Sequence, residues 1–211
     1  LFIFTDKFSI SGIFLSILSG LIHVFYFYFL GTAYKKADLS FVYPIARGTA
    51  VALVPIVGML LIKESVSIIA LIGVVVVFFG IFTLGNITHM KSVNSSDLFL
   101  SLITGITVTS YTIVDKYAVS LINPFFVFSI SSFLGGFLSI TLIDKRINHF
   151  FLIAKNNLRI IFTISFFSAV AYTLVLYAYK YSEVSLVTPL REVQTAIAAI
   201  MGIVLLKEEL K

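Results

Sequence analysis

The sequence predicts an all-α, polytopic membrane protein, an inverted repeat of five-helix units. Three observations carry that prediction. The chain is 59% hydrophobic and 12% charged, with a mean hydropathy of +1.08. Soluble domains carry about 25% charged residues, so the solvent here must be lipid. Apolar segments of roughly 18–25 residues follow one another along the chain, each long enough to cross ~30 Å of hydrocarbon. Finally, a segment returns after 145 residues. Ala33-Tyr34-Lys35 recurs as Ala178-Tyr179-Lys180, and Ser40-x-Val42-x-Pro44 as Ser185-x-Val187-x-Pro189.

The predicted spans run 8–30, 43–62, 67–85, 98–121, 125–143, 159–179 and 187–206. Short polar joints separate them, and the stretch from Asp144 to Leu158 reads as one such loop. None alternates with period two, so a membrane barrel is not expected, and helices satisfy their own backbone groups in lipid. Pro44 and Pro189 are expected to open the second and seventh spans, where a missing N–H costs nothing. These openings are five helices apart. An odd count turns the second copy upside down relative to the first, the arrangement of secondary transporters with a site near the bilayer midplane. A complete pair of five-helix units needs ten helices. Seven are present here: three from a partial first repeat in 1–96 and four from a partial second in 97–211.

The remaining composition narrows the function. With no cysteine, disulfide scaffolds and thiolate metal sites are out. No second histidine stands at metal-ligand spacing to His23, so neither metal nor cofactor is expected. The net charge of +5 resides in loop Lys and Arg, without a basic stripe interleaved with exposed aromatics. It suits anionic headgroups, not nucleic acid. Walker, His-Glu-x-x-His and Ser-His-Asp signatures are absent, which argues against an ATP-driven pump or a hydrolase. Lys and Arg crowd the loops after the first, third and fifth spans, which the positive-inside rule assigns to the cytoplasm.

Several intramembrane polar residues are candidates for chemistry. Arg47 and Arg191 each lie about one turn inside a proline-opened helix, whose N-terminus already favours anions. Together they would anchor an anionic or carboxylate-bearing solute. The plain alternative has both snorkelling to headgroups, with Glu192 paired to Arg191 or Lys180. Ser110-Tyr111-Thr112-x-x-Asp115-Lys116-Tyr117 is the most polar part of any span. Tyr111 and Asp115 share a helix face; Asp115 suits a coupling proton and Lys116 an anion, or the two form an interfacial pair. His23 reads as a hydrogen-bonded core residue, and Tyr172, Tyr177 and Tyr179 as cavity lining or interface anchors. Glu64, at an unfavourable helix C-terminus, needs a partner, such as the start of the next helix. Gly73 and Gly80 suggest a close-packing stripe.

Ala-Tyr-Lys followed by Asp-Leu-Ser-x-x-x-Pro, a small-residue helix ending Leu-Leu-x-Lys-Glu and a Gly-rich helix resembles the EamA-type repeat of the drug/metabolite transporter superfamily. Both copies carry it, at 33–85 and 178–209. Tyr-Pro-Ile-Ala-Arg-Gly at 43–48, Tyr-Thr-Ile-Val-Asp-Lys at 111–116 and Pro-Leu-Arg-Glu-Val at 189–193 resemble a subgroup found near phosphonate-utilisation genes. The resemblance implies ten helices in two inverted repeats around a central cavity, with Tyr43, Arg47, Tyr111, Asp115, Lys116 and Arg191 near it. It also implies transport without ATP hydrolysis. Cytoplasmic termini, usual in the family, oppose the loop-charge assignment. The expected protein is a multi-pass carrier of small polar or amphipathic metabolites in the cell membrane, working by alternating access. Its expected partners are an anionic solute, the bilayer, a coupling proton and a second copy of the chain. The rival readings are a flippase for a lipid-linked headgroup and a non-transporting membrane enzyme or assembly subunit.

Overall fold

The structure is a computed structural model that describes residues 9–84, 94–141, 147–194 and 197. Eight α-helices follow in order: α1 Ile10–Lys36, α2 Leu39–Val57, α3 Ile68–Leu84, α4 Ser95–Leu121, α5 Pro124–Thr141, α6 Ile147–Asn156, α7 Leu158–Tyr181 and α8 Val184–Arg191. Among the described residues there is no strand. Among these residues five helical stretches are long and apolar enough to span a membrane: Ile10–Lys36, Phe41–Ile62, Ser95–Leu121, Pro124–Thr141 and Leu158–Tyr181. Most of the seventh predicted span, like Lys145, Arg146 and the Glu208-Glu209 pair, lies outside the described residues.

Three expectations change. Pro44 and Pro189 do not open their helices. Each sits five residues past the first helical residue, Leu39 or Val184, so each removes one intrahelical bond near the end of its first turns. Arg47 is correspondingly deeper, about 12 Å along the axis from Leu39 at 1.5 Å per residue. Second, the supposed loop before Leu158 contains α6, a ten-residue helix too short to span and packed on α7. Its Phe151, Leu152 and Ile153 are exposed. Third, Gly73 and Gly80 face open space. The close approaches are at Gly20, whose added Cβ would meet the Ser131 carbonyl oxygen at 2.9 Å, and at Gly105, whose Cβ would lie 2.5 Å from the Thr49 Cβ.

The repeat is visible in the backbone. Helices α1 and α7 end at Lys36 and Tyr181, and α2 and α8 start at Leu39 and Val184, at the same 145-residue offset. Each two-residue joint ends in an acidic N-cap with extended backbone, Asp38 (φ −66°, ψ 148°) or Glu183 (φ −70°, ψ 135°), and neither caps with its side chain. The Phe41 and Val42 N–H groups donate to the Asp38 carbonyl; those of Leu186 and Val187 donate to Glu183 in the same way.

The chain divides into two compact units, and α1 and α4 contribute residues to both. The first comprises 1–28 and 114–181. Here α5 packs on α7, and α1 meets α5 backbone to backbone where Gly20 faces Ser131. Pro124 stands at the first position of α5, and the Asn123 side chain accepts from the Phe125 N–H at 2.9 Å, a side-chain cap of the kind helix N-termini favour.

The second unit comprises 29–113 and 182–211. Helix α2 packs on α3 and α8, with Val51, Val74 and Ile81 forming an apolar core. A π-helical turn, Gly58–Ile62, extends α2, and Lys63 ends it in the left-handed region (φ 61°). That wide final turn carries Glu64 back toward Gly58. Outside both cores, large apolar side chains such as Ile69, Phe133 and Phe162 are exposed, as suits a surface bathed in lipid chains.

Candidate functional site

Two polar clusters occupy the membrane-spanning helices, one in each unit. In the second unit the centre is Arg47. Burial of the α2 face that carries Val42, Ile45, Ala46 and Val51 takes Arg47 inward, leaving it 7% exposed. Its guanidinium grips the Glu192 carboxylate with two nitrogens, Nε to Oε2 at 3.0 Å and Nη2 to Oε1. Snorkelling is therefore ruled out for Arg47. Glu192 pairs across helices with Arg47. The two partners are 145 residues apart, so they hold equivalent positions in the two copies of the repeat.

Arg191 and Tyr111 lie within electrostatic reach of Arg47, and Tyr34 within that of Tyr43 and Arg47. Tyr111 is buried, and beside it the buried Thr112 hydroxyl lacks a hydrogen-bond partner among the described residues. Four of the six predicted residues, Tyr43, Arg47, Tyr111 and Arg191, thus gather around one ion pair. Arg47 and Glu192 are buried there, and Arg191 is half-buried beside them.

The α8 N-terminus, predicted as an open anion site, is already occupied. Glu64 accepts the N–H of Val184 at 2.8 Å and of Ser185 at 3.1 Å, and the Ser185 hydroxyl at 2.5 Å. A carboxylate that disfavours its own helix end is thereby satisfied at the positive end of another. It reaches a helix of the other copy, not the next helix. Glu64 beyond the α2 C-terminus meets the start of α8, while Arg47 nearer the α2 N-terminus meets its end, so α2 and α8 run antiparallel. Ser185 lies against Gly58, about 27 Å along α2 from Ser40 at 1.5 Å per residue.

In the first unit, Asp115 is fully buried. Ser19 Oγ donates to its Oδ1 at 2.5 Å and the Tyr172 hydroxyl to its Oδ2 at 2.5 Å. Lys116, next along α4, points its ammonium at the Tyr179 carbonyl at 2.6 Å. It caps the last turn of α7, where helix carbonyls lack intrahelical donors. Tyr177 donates to Asn123 at 3.2 Å. Tyr172 and Tyr177 thus work through their hydroxyls.

Sequence reasoning missed Ser19 as a partner of Asp115, since nothing local in the sequence links positions 96 residues apart. For Glu192 a signal did exist: its separation from Arg47 equals the repeat offset.

Among the described residues no group of three or more His, Asp or Glu is placed to hold a metal. Comparison with curated proteins and with solved structures gives no match. A family model does match, over residues 95–211. That region is more than half of the 211 residues, and it contains Tyr111, Asp115, Tyr172, Arg191 and Glu192. With its apolar spans, this multi-pass membrane protein belongs to the EamA-like transporter family.

Proposed function

We propose that the protein is a secondary transporter of small polar or amphipathic metabolites bearing an anionic group, working in the cell membrane by alternating access. The observation that carries this reading is the buried Arg47–Glu192 pair, with Arg191 close by. A guanidinium that holds one carboxylate in a two-pronged grip suits a solute carboxylate or phosphonate equally well. Glu192 then serves as an internal stand-in that keeps Arg47 satisfied when solute is absent. An unpaired buried charge would cost several kcal/mol, about 3–5 when one partner of such a pair is removed. The second arginine supplies the charge that a displaced Glu192 no longer balances. Tyr43 and Tyr111 orient the solute.

The test is flux of anionic and matched neutral metabolites into vesicles containing the intact protein, with and without a pH gradient. Arg47→Gln combined with Glu192→Gln removes both charges of the pair together, so neither is left facing a neutral partner. Its anion flux is expected to fall at least about tenfold, equivalent to ~1.4 kcal/mol. Asp115→Asn is expected to abolish flux driven by a pH gradient. Undiminished flux in both variants overturns the assignment.

One feature favours a second reading. An apolar groove of about 370 Å³ lies between α2 and α3, lined by Pro55, Ile56, Met59, Leu71, Phe78 and Phe79 among others. A groove of that chemistry suits an acyl chain, as in a flippase for a lipid-linked headgroup. Transfer of a headgroup-labelled lipid between leaflets, with no flux of the free headgroup, would favour it.

A further inference from the structure

The cluster around Asp115 contains more than a hydrogen-bonded carboxylate. Tyr172, which donates to Asp115 Oδ2, also has its oxygen 3.3 Å from His23 Nε2, with the two rings edge to face at 5.7 Å. On its other side, His23 Nδ1 lies 2.8 Å from the Ser19 carbonyl oxygen. A carbonyl can only accept, so Nδ1 keeps its hydrogen whatever the charge on the ring. Nε2 is then the atom whose protonation sets that charge. His23 stands midway along α1, thirteen residues from each end of Ile10–Lys36, which puts it near the centre of the span.

We propose that His23, Tyr172 and Asp115 form a proton-binding site in which one exchangeable proton is shared between the imidazole and the carboxylate through the phenol. In one form, imidazolium Nε2–H donates to the Tyr172 oxygen and Tyr172 O–H donates to the Asp115 carboxylate. In the other, the Nε2–H bond has broken, leaving its electron pair on nitrogen, and that hydrogen has joined the Tyr172 oxygen. The original phenolic hydrogen has moved to Oδ2. Asp115 now donates to Tyr172, and Tyr172 donates to Nε2. The phenol is neutral before and after, the group has no net charge in either form, and release of the proton leaves it at −1. Ser19 keeps its bond to Oδ1 throughout.

Histidine and carboxylate titrations become one coupled process in such a site. The packed elements contribute the following groups. Helix α5 contributes Phe128 against the Tyr172 ring and Gly135 against His23, and no residue of α5 is ionisable. On α4, the Lys116 ammonium is directed to the Tyr179 carbonyl. The charged residues of α7 are Arg159 and Lys180, near its two ends. This inference deepens the transport reading: its role as the coupling site rests on that reading, whereas proton binding stands on the geometry alone.

Infrared titration of the intact protein in lipid vesicles tests it. The carbonyl stretch of a protonated Asp115 is identified by its loss in Asp115→Asn, or by its displacement in Asp115→Glu if the asparagine variant does not fold. His23→Gln is expected to raise the Asp115 protonation midpoint by about one pH unit or more, the size expected of strongly interacting sites. Tyr172→Phe keeps the ring and removes only the hydroxyl, and in that background the effect of His23→Gln should fall by at least about half. An Asp115 titration indifferent to His23, or a shift of equal size without the phenol, overturns the proposal. Solute flux in the same vesicles separates the two ideas. Coupled titration without flux sinks transport and leaves the proton site, and flux without coupled titration does the reverse.

Discussion

Arg47 and Glu192 are each other's counterparts in the two copies of the repeat, and they bind each other. The chain positions differ by 145 residues, the offset at which Pro44 meets Pro189 and the Asp38 cap meets the Glu183 cap. Contact between equivalent positions places the pair at the centre of the relation between antiparallel α2 and α8. The first prediction follows from this. Arg47→Glu and Glu192→Arg are each expected to destabilise the protein strongly, since each sets two like charges side by side in a buried contact, which costs more than the ~3–5 kcal/mol of leaving one charge unpaired. The swapped double variant should recover most of that loss. Thermal stability in detergent measures it, and a double variant no better than either single one would show that the pair is not coupled.

Glu64→Gln should weaken the same junction from its other end. It replaces charge-assisted bonds to two N–H groups and one hydroxyl with neutral ones, for a loss of about 1–3 kcal/mol. Ser185→Ala removes a single bond and should cost about 1 kcal/mol. Hydrogen exchange at the Val184 and Ser185 amides reads the effect locally, and faster exchange there in Glu64→Gln is the expected result.

Glycine substitutions should separate contact from open space. Gly105→Ala puts a methyl group 2.5 Å from the Thr49 Cβ and 2.6 Å from the Ala46 carbonyl oxygen. An overpacked contact of that kind costs about 1–3 kcal/mol. Gly73→Ala and Gly80→Ala meet nothing within 4 Å and replace the poorest helix former short of proline. A gain of up to about 1 kcal/mol each is expected, read as a higher midpoint of thermal unfolding.

Lys116→Gln shortens the side chain and removes the charge that caps α7. The last-turn carbonyl of Tyr179 then loses a charge-assisted bond worth about 1.5–3 kcal/mol. Faster hydrogen exchange in the final turn of α7, with the rest of the helix unchanged, is the expected signature.

Much of this architecture was legible in the sequence, and the misses have physical causes. The spans announce themselves because apolar length is what a bilayer selects. Their ends do not, which is why Pro44 looked like a first residue although Leu39 precedes it in the helix. Helix α6 escaped because ten residues with polar ends, Asn148 and Asn156, look like any interfacial loop. Gly73 and Gly80 have the spacing of a packing stripe, but spacing says nothing about which face meets a neighbour. Four of six candidate residues gather at Arg47, since charge within an apolar span is rarely left to chance. Charges, however, were paired with neighbours in the chain, so the distant partners of Arg47, Glu64 and Asp115 went unseen.

The Arg47–Glu192 contact also bears on how such a chain arises. Two identical polypeptides related by a two-fold axis at this position would set like charge against like, arginine on arginine or glutamate on glutamate. Attraction becomes available only once the two copies are free to diverge. Neither half, expressed alone and paired with itself, can rebuild this bond.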